Sequence, residues 1–83
     1  MKFKAEIDVM PLEALLDPQG KAVTNSLQTI GMTEISNVRI GKHIQLIVEA
    51  ADKASASEKV DQACKKLLVN QIMESFTFEV TPL

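Results

Sequence analysis

From Val38 to Ala50 the sequence repeats with a period of two. Val38, Ile40, Ile44, Leu46, Val48 and Ala50 fall on one parity, interrupted only by Lys42. Asn37, Arg39, His43, Gln45 and Glu49 fall on the other, with Ile47 as its lone apolar member. Side chains alternate faces along a strand, so the pattern commits this stretch to a sheet with one buried face. A two-residue turn at Gly41-Lys42 would pair Ile40 with His43 and swing His43 and Gln45 onto the core side. A three-residue turn pairing Ile40 with Ile44 keeps the parity but has no Gly at the usual left-handed place. The unbroken parity favours one long central strand, bent or split at Gly41, over a hairpin. Thirteen residues would span about 43 Å, against about 25 Å for a strand of seven or eight. The outer strands are of the shorter length, so part of the long one has no neighbour within its own chain. An unpaired apolar edge is a template for another chain. Self-association through this strand, as a homodimer or tetramer, is the expectation.

The other elements are read in the same way. Phe3, Ala5, Ile7 and Val9 alternate with Lys2, Lys4, Glu6 and Asp8, giving a strand that Met10-Pro11 ends. Leu12 to Leu16 is apolar but too short to classify. Asp17-Pro18-Gln19-Gly20 opens a helix: Asp17 is placed to accept the free amides of the first turn, and Pro18 at the first helical position sacrifices no bond. Val23, Leu27 and Ile30 form its apolar stripe, and Gly31 supplies a left-handed residue to close it. Gly20 is unusual there, since Gly costs up to about 1 kcal/mol relative to Ala in a helix. Either the backbone or a partner comes close at that point, or the residue is tolerated near a frayed end. The second helix has two candidate starts, Asp52 and the capping box Ser55–Glu58, the latter better signed. Ala56, Val60, Ala63, Cys64 and Leu67 follow at helical spacing, and Asn70 is read as its left-handed cap. Phe76, Phe78 and Val80 face inward on a last strand that Pro82 stops. The order β-α-β-α-β predicts one domain over residues 1–83. Its class is α+β, a ferredoxin-like two-layer sandwich with both helices on one sheet face.

Composition narrows the function classes. A chain of 83 residues hides only about 60–65% of its unfolded surface, and here no Trp, no Tyr and three Phe are available to fill the core. Domains of this size draw support from disulfides, a metal or a partner. The lone Cys64 excludes an internal disulfide and a CxxC metal site, which leaves the partner. An unpaired cysteine also suits a reducing cytoplasm. No apolar run approaches the roughly 18 residues needed to cross a bilayer. The opening Met1-Lys2-Phe3-Lys4-Ala5-Glu6 runs straight into the alternating pattern, unlike a signal peptide. Nine basic against eleven acidic residues give a net charge of -2 and a pI near 5.3, with no footprint for nucleic acid.

Chemistry is sparse. Cys64 on an apolar helical stripe reads as a buried, inert thiol, and His43 as a solvent-facing strand residue. They lie on different elements, so no nucleophile–base–orienter set forms, and no catalytic residue or metal ligand is expected of this chain. Arg39-Ile40-Gly41-Lys42-His43 gathers three basic groups near a glycine but matches neither a P-loop nor GxGxxG. It reads as a small anionic patch-binder, as an interface anchor, or as a charged strand edge that deters aggregation. Anchoring is favoured, because Lys42 breaks the apolar parity and Arg39 suits bidentate carboxylate pairing. The outward strand faces carry no aromatics for stacking RNA bases. The paired cysteines of metal carriers and the glycine-rich loop of acylphosphatases are also missing. An ACT-like dimeric regulatory domain that binds a small molecule remains as an alternative function.

Three segments taken together are familiar: Leu16-Asp17-Pro18-Gln19-Gly20-Lys21-Ala22-Val23, Val38-Arg39-Ile40-Gly41-Lys42 and Ala63-Cys64-Lys65-Lys66-Leu67-Leu68-Val69-Asn70. In order and spacing they resemble the PurS family, the small subunit of bacterial and archaeal phosphoribosylformylglycinamidine synthase. Gln71 stands where family members usually have Pro, and Pro11-Leu12-Glu13-Ala14 replaces a more basic approach to the first motif. The resemblance implies a role in the fourth step of de novo purine synthesis. There a complex uses ATP, Mg and the ammonia of glutamine to make an amidine from formylglycinamide ribonucleotide. It implies that a large synthetase subunit and a glutaminase subunit hold the chemistry. The small homo-oligomeric subunit, with no cofactor of its own, docks them together and aids ammonia transfer. By position, Asp17, Pro18, Gln19 and Gly20 match the first motif, Arg39, Gly41 and Lys42 the second, and Asn70 the third. Arg39, Lys42, Gly20, Gln19 and Gly41 are then the expected partner-interface residues. Asp17, Pro18 and Asn70 are expected to be structural, Asp17 and Asn70 as helix caps.

Overall fold

A computed structural model of the chain describes residues 1–13 and 17–83. The apolar residues at 14–16, the end of the unclassified stretch after the first strand, lie outside the described residues. The element order is β1 (Lys2–Pro11), α1 (Pro18–Thr29), β2 (Lys42–Glu49), α2 (Lys53–Ala63) continued by one wide π turn (Cys64–Leu68), and β3 (Glu74–Pro82). The three strands form one antiparallel sheet in the order β2-β1-β3. The alternation read from the sequence sets its register. Ile7 lies between Ile44 and Phe78, and Ala5 between Leu46 and Val80. Phe3, Ala5, Ile7 and Val9 are buried along the middle strand. Ala56, Val60, Cys64 and Val69 close over them from the α2 side. The opposite sheet face is polar, with Asp8 opposite His43 and Glu6 opposite Gln45.

Three expectations need correction. The strand expected from Val38 to Ala50 runs for eight residues, Lys42–Glu49, and it lies at the sheet edge with β1 in the middle. The cause is local. The amides of Val38 and Ile40, which a strand ladder would use, are taken by the Thr24 hydroxyl and the Asp17 carboxylate at 3.1 and 2.9 Å. The break does fall at Gly41, where an added Cβ would come within 2.1 Å of the Val9 carbonyl oxygen.

The second correction concerns the two helices on one face. Only α2 packs on the sheet; α1 makes no comparable contact with any strand among the described residues. Gly20 is its only buried residue, and Val23 and Ile30 of its apolar stripe are 39% and 69% exposed. The fold is therefore α+β, with a three-stranded antiparallel sheet, one covering helix and one outlying helix.

The third correction concerns caps. α2 opens at Asp52, whose carboxylate accepts the Ser55 amide at 2.8 Å, so Ser55 already sits within the first turn. Asn70 is not a left-handed cap, because Asn37 is the only non-glycine residue with positive φ among those described. The wide turn ends at Val69 in extended backbone instead. At α1 the expected closure holds. Gly31 has φ 90°, its amide donates to the Gln28 carbonyl, and the Met32 amide donates to that of Leu27, a Schellman motif.

The chain measures 52 × 26 × 14 Å with a Cα radius of gyration of 16.5 Å. A compact domain of this length would have about 12 Å. Its surface, 5843 Å², exceeds the roughly 4,900 Å² typical of a compact monomer of its mass.

Candidate functional site

The fold brings the start of α1, residues 38–40 and the turn that follows Asn70, one piece from each motif, to one end of the sheet. Asp17 is the joint. Its backbone is extended (φ -113°, ψ 92°), and one carboxylate oxygen accepts the Gly20 amide at 3.1 Å while the other accepts the Ile40 amide at 2.9 Å. It caps α1 and at the same time fastens residues 38–40 to it. The two amides, Ile40 foremost and then Gly20, hold the Asp17 carboxyl below the usual carboxylate range. Thr24 makes a second tie, donating its hydroxyl to the Gly20 carbonyl at 2.9 Å and accepting the Val38 amide. Gly20 permits the approach, since a Cβ there would lie 2.1 Å from the Val38 carbonyl oxygen. Of the alternatives open at Gly20, the structure shows close approach of the chain's own backbone.

The turn after the third motif follows the wide helical turn. The Asn70 carbonyl accepts the amides of Met73 and Glu74, its side-chain oxygen accepts the Ile72 amide at 3.1 Å, and its own amide donates to Glu74 Oε1 at 2.9 Å. Glu74 Oε2 lies 3.7 Å from Lys42 Nζ, which links this turn to the start of β2. Gln71 adds a bond from its side-chain amide to the Lys65 carbonyl at 3.1 Å.

Between these turns is a cleft of about 410 Å³. Asp17, Pro18 and Gln19 line one part of it, Asn70, Met73 and Glu74 another, with Pro11 and Ile40 completing the lining. Arg39 faces a separate groove of about 270 Å³ beside Thr24 and Asn37, 3.9 Å from the Glu13 carboxylate. Of the expected site residues, Asp17, Pro18, Gln19 and Asn70 therefore share one cleft. Lys42 reaches it through Glu74, Arg39 looks away from it, and Gly20 and Gly41 hold backbone segments together. Glu74 and Thr24 belong to the same arrangement and were not singled out from sequence. Glu74 had a readable signal, a charge on the apolar parity of Phe76, Phe78 and Val80. Thr24 had none, being a threonine within a helix.

The cleft lining offers carboxylates, amides and apolar surface, without His, Cys, Ser or Lys. Elsewhere, His43 Nδ1 meets Asp8 Oδ1 at 2.6 Å on the polar sheet face. Cys64 is fully buried, and burial, followed by the neighbouring Asp61, pushes its thiol upward. Among the described residues no three His, Cys, Asp or Glu side chains come together as metal ligands, and no helix is long and apolar enough to cross a membrane.

Comparison with known proteins gives one consistent result. The family described as PurS, phosphoribosylformylglycinamidine (FGAM) synthase, matches residues 4–82. The chain is 47% identical over 81 residues to the phosphoribosylformylglycinamidine synthase subunit PurS of Synechocystis, covering 98% of this chain and 81% of that protein. It is 37% identical to the Bacillus subtilis subunit PurS, covering 94% and 92%. Among solved structures it superposes on Bacillus subtilis PurS with a TM-score of 0.86 at 36% identity, covering 96% and 99%. It also superposes on a chain of Thermotoga maritima PurLQS with a TM-score of 0.87 at 35% identity, covering 96% and 98%.

Proposed function

This chain belongs to the PurS family of phosphoribosylformylglycinamidine synthase, as a subunit of that enzyme in purine biosynthesis, and from that premise we propose that its work is to join other subunits. It docks a glutaminase subunit to a large synthetase subunit and pairs with copies of itself. ATP, Mg and glutamine are handled by the larger subunits, and none of the residues of this chain carries out the chemistry. Bringing the two larger subunits into register would keep ammonia from solvent on its way between them.

The observation that carries this reading is the outlying helix. α1 is held by its first turn to residues 38–40, yet among the described residues it makes no contact with any strand comparable to that of α2, and Val23 and Ile30 of its stripe are exposed. The surplus surface is roughly 900 Å², close to the ~800 Å² that each partner contributes to a standard stable interface. The free edge of β2, with Ile47 64% exposed, offers a second place for another chain. The likeness to a chain of Thermotoga maritima PurLQS supports the same reading.

The test is reconstitution. Glutamine-dependent amidine formation by the synthetase and glutaminase subunits is measured with and without this chain, and the chain is assayed alone. Activity that needs the chain, with the chain alone inert, is the expected result. If omitting it changes nothing, the docking role is wrong.

A further inference from the structure

We propose that the cleft between the turns at 17–20 and 70–74 receives a segment of one of the larger subunits, and that this segment presents a lysine or arginine beside an apolar side chain. The inference rests on the docking role proposed above and says where and by what chemistry one contact is made. Among the described residues, the charged groups lining the cleft are the carboxylates of Asp17 and Glu74. Asp17 is held ionised by the two amides it accepts. Glu74 Oε1 accepts the Asn70 amide, and Oε2 has among the described residues the long 3.7 Å contact to Lys42, which leaves room for a second cation. Around these charges the surface is apolar: Ile40 and Met73 are 36% and 52% exposed, and Ile72 beside them is 84% exposed. The side-chain amides of Gln19 and Asn70 donate to no group of this chain among the described residues, so they are free to meet an incoming backbone.

The form of the cleft selects the kind of occupant. Small ligands are usually enclosed, with most of their surface covered by the site. Here Pro18, Gln19, Ile40, Asn70 and Met73 are all exposed, so an occupant is covered from one side only. That suits a segment supported by its own fold. Negative groups flanked by apolar surface favour a cation with an aliphatic stem, which is what lysine and arginine provide.

Met73 is the residue to change, because it is exposed and its side chain makes no hydrogen bond that the turn depends on. Met73→Lys and Met73→Glu remove the same apolar contact but add opposite charges beside the carboxylates, and Met73→Leu serves as the conservative control. Each purified variant and the unaltered chain are titrated separately with the large synthetase subunit and with the glutaminase subunit. Far-UV circular dichroism and light scattering establish that fold and oligomeric state are kept. For one of the two subunits, Met73→Lys should bind about tenfold more weakly than Met73→Glu at low salt, with the gap closing as salt rises. Equal binding by the two charged variants, or the reverse order, overturns the proposal while leaving the docking role intact if the unaltered chain binds. An altered oligomeric state in Met73→Lys alone identifies the cleft as a contact between copies and also overturns it. Failure of the unaltered chain to bind either subunit overturns both readings.

Discussion

Asp17 does with one side chain what two ordinary contacts would do separately. It caps α1 through the Gly20 amide and anchors the approach to β2 through the Ile40 amide, so its loss frees the helix start and the loop together. Asp17→Ala is expected to lower the melting temperature at pH 7 by more than Asp17→Asn, which keeps one acceptor oxygen. The pH dependence follows from the lowered carboxyl. Its folded-state pKa lies below its unfolded value, so the stabilisation is complete above about pH 4 and fades as pH falls through the folded-state value. Melting curves of Asp17→Ala and the unaltered chain should therefore converge in acid; a gap unchanged at pH 3 would mean that the charge is not what stabilises. Asp52, likewise lowered by the Ser55 amide, adds an acid-sensitive contribution of the same sign at α2. Gly20 is the other critical residue. Gly20→Ala sets a methyl group against the Val38 carbonyl, whose backbone is pinned by Thr24, and should cost about 1–3 kcal/mol, as overpacking usually does. Urea denaturation checks this, and an unchanged midpoint would mean that residues 38–40 shift without cost.

At the scale of elements, periodicity reported faces faithfully and partners poorly. The parities of β1 and β3 were legible because each strand touches one core from one side. The start and end of α1 were legible because caps act over three or four residues. The limits of β2 were not. They depend on bonds from Thr24 to Val38 and from Asp17 to Ile40, fourteen and twenty-three residues apart, which leave no periodic trace. The apolar stripe of α1 announced that some surface covers it, and the assignment to its own sheet was the error. The site was half legible for the same reason. Asp17, Pro18, Gln19 and Asn70 stand in turns with recognisable chemistry, whereas Glu74 and Met73 enter the cleft only because β3 pairs with the end of β1. If α1 is covered by a second chain, Val23→Asp with Ile30→Asp should reduce the mass in light scattering toward 9.1 kDa, the mass of one chain. An oligomer that persists in the double variant would move the contact elsewhere, with the β2 edge as the first alternative.

The whole molecule is a thin slab with an arm, and its stability is expected to reflect that shape. If the surplus surface is buried between copies, the melting temperature should fall on dilution, since dissociation becomes part of unfolding. A melting temperature constant over a hundredfold dilution would make the extended shape a property of an independent monomer. The middle position of β1 carries a consequence for how the chain is made. Its two neighbours are β2 and β3, so the strand synthesised earliest is completed only by the one synthesised last. The 62 residues from 12 to 73 separate β1 from β3, which at 5–20 residues per second is a wait of about 3–12 s on the ribosome. Throughout that interval Phe3, Ala5, Ile7 and Val9 have one side of their strand open. A nascent chain stalled before Glu74 would present its central strand to whatever else is nearby, and β3 acts as the latch that ends this exposure.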